Sequence, residues 1–528
     1  MHHLFHHPSI GPIKAKSNDG VLQFLGIEYA VLENRLAEAS LKTEYGAGVL
    51  DATRLGPQVV SIPIGCKIEH GLIQKELPYN EGDHSDLHGL NLNITIPEQR
   101  QEGLPVFVYI HGGGFAIGSN SWPQFDQARL IKLGLDQGIP SIGVAINYRL
   151  GGPGFLTSAE LRENGYKANN GLRDQATAFA WIQKHIAGFG GDPNNVTVIG
   201  QSAGAMASML HLQSAEPLFH QVVSMSGTPL CLAISEPQDC EKAYCRVIDC
   251  LKLRDQSLKS RIDALLNVPA STLLRSLTPD IPMVPSVDGD IIFSNPNFKQ
   301  VFDTPGGLLK SLPGAARCRR IMIGSCTLDA HVYAMFFSGR ESVVLQQFNG
   351  LLEKALREFP VEAAKIQQAY GLGDNTSDDQ AARSILRFGS DISFYIPSVE
   401  YARAWDGDAF LYDFSEGNPW SGPFMGEATH ILDVAYLFQN YREQLADSAN
   451  AVAMRLATDV LKFVAGQSPF TAFDGQQAKS VMVYDSATGA EKSLGDSERR
   501  QVLFEVGQKC GFDPLVKIFR SLISGRTD

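Results

Sequence analysis

Short runs of β-branched and aromatic residues recur along the chain, separated by longer stretches whose apolar positions fall three and four apart. Residues 21–30, 90–97, 104–110, 141–148, 196–199, 221–226, 320–324 and 409–414 read as strands, because both of their faces carry residues suited to a buried pleated surface. Helices are expected over 126–134 and 170–189, the second with Ala176, Ala178, Phe179, Trp181 and Ile182 as a wide apolar stripe. Helical patterns broken by prolines fill 235–310, and a mostly helical block runs over 341–405. Residues 50–88 hold Gly, Pro and His with little periodicity and read as a long excursion. Strands alternating with helices over this length predict an α/β fold: a large, mostly parallel central sheet wrapped by helices, with helical insertions. No repeat or Pro/Gly/Ser-rich linker divides the pattern, so residues 18–528 are expected to form one domain.

Composition narrows the classes of function. A chain of 528 residues with 44% hydrophobic content can bury a large core. With 45 basic against 57 acidic residues, net charge −12 and no basic stripe, a nucleic-acid partner is not expected. No apolar run is long enough to span a membrane. Residues 1–17 begin with His2, His3, His6 and His7, lack the apolar stretch of a secretory signal, and are expected to be a flexible tail. Asn93, Asn195 and Asn375 open Asn-x-Ser/Thr triplets that then read as chance matches. Of eight cysteines, Cys231, Cys240, Cys245 and Cys250 cluster, but five-residue steps do not share a helix face and no C-x-x-C occurs. They read as core thiols in a reducing compartment, so no metal or other cofactor is expected.

The chemistry gathers around Gly200-Gln201-Ser202-Ala203-Gly204, which lies between the run 196–199 and a stretch of helix formers. Strand, tight turn and helix form the setting in which G-x-S-x-G presents a serine nucleophile at the top of a sheet. A serine hydroxyl needs a base, and the base needs an orienting acid; on such a sheet they follow in the order serine, acid, histidine. Asp329 stands just past the strand at 320–324, and His430 follows the strand at 409–414 at the opening of an amphipathic helix. Asp433, one turn beyond His430, is the alternative acid. His111-Gly-Gly-Gly-Phe115 follows the strand at 104–110, and consecutive glycines let main-chain N–H groups turn towards a developing oxyanion. Gly113 and Gly114, with Ala203 after the serine, are the expected donors.

With these residues placed, the chain resembles the type-B carboxylesterases, the cholinesterase-like branch of the α/β-hydrolases. The resemblance is densest at Asn147-Tyr-Arg-Leu150, Asn170-Gly-Leu-Arg-Asp-Gln175, Phe189-Gly-Gly-Asp-Pro193 and Gly200–Gly204, and extends to Phe24–Ile27, Ser226-Gly227 and Val287–Asp290. It implies a triad of Ser202, Asp329 and His430, an oxyanion hole of Gly113, Gly114 and Ala203, Ser226 beside the triad, and structural roles for Arg149 and Asp174. The family usually has Glu-Gly where this chain has Asp329-Ala330, and often Glu where Gln201 stands. Leu87-His88-Gly89 replaces the Glu-Asp-Cys of secreted members, and Ala264 stands near the position of the partner of Cys250, so the family disulfides are not expected. No Trp lies between Cys66 and Gly89, where cholinesterases carry the face that binds quaternary ammonium, so a choline ester is not the expected substrate. The implied activity is that of an intracellular, cytoplasmic serine carboxylesterase acting on a small-molecule ester. The alternatives are an acyltransferase or biosynthetic enzyme using the same triad and, third, a non-catalytic interaction protein. Neither the natural ester nor the oligomeric state is legible.

Overall fold

The computed structural model describes residues 2–276, 283–373, 375–473, 480–487, 489–493 and 497–525. Its centre is a sheet of 13 strands. In chain order these are β1 (His2–His7), β2 (Gly11–Asn18), β3 (Val21–Glu28), β4 (Leu50–Ala52), β5 (Asn91–Pro97), β6 (Leu104–Ile110), β7 (Ile142–Ile146), β8 (Gly191–Gln201), β9 (Gln221–Met225), β10 (Arg320–Cys326), β11 (Asp408–Phe414), β12 (Ser480–Tyr484) and β13 (Glu491–Ser493). Across the sheet the order is β1-β2-β3-β5-β7-β6-β8-β9-β10-β11-β12-β13, with β4 alongside β2. From β7 to β12 every pairing is parallel. The two ends of the sheet are antiparallel except for β4, which pairs parallel to β2.

The central strands are buried on both faces, and their alternation assigns each side chain to one of two apolar layers. Val106, Val108 and Ile110 of β6 join one layer, and Phe107 and Tyr109 join the other. Register puts Val198 beside both Val108 and Val222, so the carboxyl ends of β6, β8 and β9 come level. The loops leaving that edge are those in which the sequence places the glycine run, Ser202 and Ser226.

Helices cover both faces. Those closest to the site are α1 (Gly65–Ile73), α2 (Asn170–His185) and α3 (Ala203–Leu210). The buried pair Arg149 and Asp174 ties the loop after β7 to α2, with N–O distances of 2.8 and 2.7 Å. The same guanidinium donates to the carbonyls of Arg35 and Ala37, which gives this pair the framework role expected of it.

Three expectations need correction. The first residues are not a flexible tail: β1 and β2 pair antiparallel at the edge of the sheet. Phe5 is buried against Phe24 and Phe189, with ring centroids 5.0 and 5.7 Å away. His7 is buried too, and its Nε2 donates to the His185 carbonyl at 2.8 Å. Burial lowers the pKa of His7, so this imidazole packs as a neutral aromatic ring. Reading the histidines as uniformly polar hid the alternation that turns Phe5 and His7 inwards. Second, Cys245 and Cys250 are exposed, and only Cys231 and Cys240 of that cluster are core thiols. Third, His430 does not open a helix: it sits in a turn, Ile431 takes φ 70°, and the helix begins at Leu432.

Candidate active site

The carboxyl end of β8 feeds straight into α3, and Ser202 is the single residue between them. Its backbone is forced to φ 54° and ψ −121°, a conformation that costs a non-glycine residue about 1–3 kcal/mol. Close packing holds it there: a Cβ on Gly204 would lie 2.1 Å from the Ile110 carbonyl oxygen, and one on Gly227 2.2 Å from the Ser202 carbonyl oxygen. The Ser202 N–H also donates to the Met225 carbonyl at 2.9 Å. The turn is thus clamped between the ends of β6 and β9, and the serine is pushed out of the sheet.

The acid and the histidine arrive on neighbouring loops. Leu328 forms a parallel bridge with Thr429, and its N–H donates to the Ala428 carbonyl at 2.8 Å. That stitch sets Asp329 beside His430, with His430 Nδ1 donating to Asp329 Oδ1 at 2.7 Å. The second carboxylate oxygen accepts the Cys326 N–H at 2.8 Å. Asp329 is fully buried; desolvation raises its pKa, while His430, Ser226 and the Cys326 amide act against that rise. Asp433 takes a different partner: Tyr412 donates to its Oδ2 at 2.9 Å, and burial together with Asp329 pushes its pKa up to about 6. The carboxylate that meets His430 Nδ1 is therefore Asp329.

With Nδ1 carrying the proton, His430 Nε2 is an acceptor, and the Gln201 side-chain amide donates to it at 3.1 Å. Among the described residues no hydrogen bond joins Ser202 to His430. Upstream, Gly113 and Gly114 take φ 93° and 62°. A Cβ on Gly113 would lie 2.2 Å from the Ile117 carbonyl oxygen, so only glycine fits. No protein acceptor among the described residues takes the N–H of either glycine. His111 steadies the loop from beneath: its Nδ1 donates to the Gly112 carbonyl at 3.0 Å, and its ring stacks on Tyr148 at 4.6 Å.

Ser202, His430, Gly113 and Gly114 face one cavity of about 350 Å³, while Ala203 lies buried directly behind the serine. The rest of its lining is mostly apolar, with Leu72, Ile117, Leu232, Val332, Tyr333 and Phe394 prominent. Three neighbours are not foreseen from the sequence. His331 accepts the His430 N–H at 3.0 Å and is held neutral by burial and by His430, its pKa lowered to about 3. Phe394 packs on the His430 ring at 5.5 Å, delivered by a π-helical turn at Asp391–Tyr395. Glu69 of α1 lines the cavity and is buried. One signal for it existed: Gly65, Cys66, Glu69, His70 and Ile73 form a buried stripe at helical spacing, with the acid in its middle.

Burial pushes the Glu69 carboxyl up to about 8, opposed by a hydrogen bond from Gln124. Unfolded, the group ionises near its ordinary value of about 4.3, whereas folded it keeps its proton until pH 8. Stability should therefore fall as pH rises through that window, by about 1.4 kcal/mol per pH unit. Glu69→Gln is expected to remove this slope, read as the difference between urea midpoints of the two proteins from pH 5 to pH 9.

Groups that ligate metal do not cluster here or elsewhere: among the described residues no three His, Cys, Asp or Glu side chains are arranged to hold an ion. No described helix is long and apolar enough to cross a membrane.

Comparison with known proteins agrees with this architecture. A para-nitrobenzyl esterase of Bacillus subtilis is 28% identical over 523 residues, covering 94% of this chain and 97% of its own. A fumonisin B1 esterase of Sphingopyxis macrogoltabida is 38% identical over 393 residues, covering 70% of this chain and 66% of its own. The solved structure of a thermophilic para-nitrobenzyl esterase superposes with a TM-score of 0.72 at 23% identity, covering 96% of this chain and all of that one, which establishes the α/β-hydrolase fold. The sequence model of the carboxylesterase family matches residues 10–484. The chain therefore belongs to the carboxylesterase family, serine hydrolases that act on carboxylic esters.

Proposed function

We propose that Ser202, His430 and Asp329 hydrolyse a small-molecule carboxylic ester through an acyl-enzyme. The observation that carries this reading is the strained turn at Ser202, which faces the same cavity as a histidine whose far nitrogen is tied to a buried carboxylate at 2.7 Å. His430 Nε2 takes the Ser202 proton as Oγ bonds to the carbonyl carbon. The oxyanion is met by the N–H groups of Gly113, Gly114 and Ala203, which need no reorganisation to do so. The imidazolium, supported by Asp329, then protonates the departing alcohol, and the reverse sequence with water releases the acid.

Gln201 adds a step of its own. Its amide occupies His430 Nε2 in the resting site and must give way before the serine proton can be taken. Catalytic hydrogen bonds commonly tighten only once substrate is bound.

The predominantly apolar lining of the cavity favours one further outcome, transfer of the acyl group to an alcohol instead of water. Product analysis separates the two. With p-nitrophenyl butyrate, hydrolysis gives p-nitrophenol and butyrate as the sole acyl product, and added alcohols leave that product unchanged. A butyrate ester formed faster than free acid would replace hydrolysis by transfer, and no release of p-nitrophenol from any chain length would remove both.

Gly113→Ala should be severe, since the methyl group meets the Ile117 carbonyl and moves a donor out of place. Loss of one oxyanion donor costs about 2.7–4 kcal/mol, so kcat is expected to fall by about 10²–10³ with little change in KM. As for compartment, all eight cysteines are free thiols, which fits the reducing interior of a cell.

A further inference from the structure

Most of the cavity beside Ser202 is apolar, and three of its polar side chains are engaged in the proposed chemistry. Ser202 and His430 belong to the reacting centre, and Gln201 is bonded to His430. Cys231 and Tyr333 line the cavity as a thiol and a phenol that burial keeps neutral, and Glu69 is its one carboxyl. It projects from α1 between Ile68 and Leu72, which line the same cavity.

The carboxyl is held by a side-chain hydrogen bond and, among the described residues, has no cationic partner. Gln124 Nε2 donates to its Oε1 at 2.9 Å, and Gln124 is itself fixed through its Oε1 by His70 Nε2 at 3.1 Å. Oε2 takes no hydrogen bond from the protein among the described residues. The ionisable groups close enough to feel its charge are Cys66 on its own helix, Tyr109 from β6, Tyr148 after β7, and Tyr441, with His70 reached through Gln124. Burial pushes the thiol and the three phenols up and lowers the imidazole, so all five are neutral at pH 7. Among the described residues no Lys or Arg forms an ion pair with Glu69.

A carboxyl in this position discriminates among ligands by charge. An apolar chain would leave Oε2 buried without a partner, at the cost of a lost hydrogen bond. An anion would find one O–H donor at most, and only while the carboxyl keeps its proton. A protonated amine supplies the missing cation and up to three N–H donors. We infer that Glu69 is a cation-recognition residue of the substrate cavity, and that the favoured substrates are carboxylic esters carrying a primary or secondary ammonium group on an aliphatic chain. This inference rests on the esterase reading above only for the word substrate; the cation site itself is a property of the cavity.

Binding has a proton signature. At pH 7 Glu69 is mostly protonated, being pushed up to about 8, and an amine is already charged. Forming the pair converts the carboxyl to carboxylate, and its proton leaves to solvent.

The test uses hexylamine and 1-hexanol as probes, which share a chain and differ in charge. Titration calorimetry at pH 7, in two buffers of different ionisation enthalpy, reads affinity and proton release together. The expected result is that hexylammonium binds about tenfold or more tighter than hexanol and releases about one proton. In Glu69→Gln both the preference and the release should vanish. Equal affinity for the two probes, or no proton release, would overturn the cation site, and the wild-type titrations alone decide this if the variant does not fold. Turnover of p-nitrophenyl butyrate by the same preparation is scored separately: its absence would sink the esterase reading and leave the calorimetric result for Glu69 standing.

Discussion

Ser202→Ala is expected to lower kcat on p-nitrophenyl butyrate by about 10⁶ while leaving the fold intact. Both halves of the expectation come from the turn. The hydroxyl makes no hydrogen bond to the protein among the described residues, so its removal strands no partner. The strain at φ 54° belongs to any residue with a Cβ, and alanine bears it as serine does. Stability measured by urea unfolding should therefore shift by no more than about 0.5 kcal/mol. What disappears is the atom that bonds to the carbonyl carbon, and the glycine N–H groups cannot replace it. A variant that kept its turnover would place the chemistry elsewhere in the molecule.

Asp329→Asn is expected to cost about 10⁴ in kcat for a more indirect reason. The Cys326 N–H donates to Oδ2, so that position must remain an oxygen acceptor. An asparagine placed to satisfy it turns its NH₂ group towards His430 Nδ1. Nδ1 must then accept, the ring proton moves to Nε2, and the nitrogen that should take the serine proton is already protonated. The loss should appear in kcat with KM little changed. Asp433→Asn is the control. Asp433 is bonded to Tyr412 and lies off the imidazole, so its replacement should have a far smaller effect on turnover. The reverse ranking would make Asp433 the acid.

Much of the fold is legible in the sequence because buried parallel strands are dense in branched residues on both faces. The runs at 104–110, 196–199, 221–226 and 320–324 all fall on strands, although β8 starts earlier, at Gly191, β9 stops at Met225 and β10 runs on to Cys326. The edges are harder to see. β1 hides behind four histidines, of which His7 alone turns inwards with Phe5, and β12 and β13 are short strands at the far edge with too few residues for a period to show. α1 falls in a stretch that reads as irregular, because its buried stripe includes an acid and a histidine that a hydrophobic pattern counts as polar.

The site divides in the same way. Ser202, Asp329, His430, Gly113 and Gly114 can be named because the proposed chemistry depends on backbone features that leave local traces: a glycine-bounded turn, a glycine run, and residues just past strand ends. His331, Phe394 and Glu69 act through proximity across the fold, from a 3₁₀ turn, a π-helical turn and a distant helix. Gln201 is visible as a neutral residue beside the serine, but its bond to His430 depends on how two loops meet.

The central claim is that Ser202 carries the acyl group, and covalent labelling tests it most directly. Wild-type protein treated with a fluorophosphonate should gain one adduct by intact mass, located by peptide mapping on Ser202. Ser202→Ala should gain none, and Asp329→Asn should label far more slowly. An adduct on another residue, or ester turnover that continues after labelling while Ser202 is unmodified, would contradict the account.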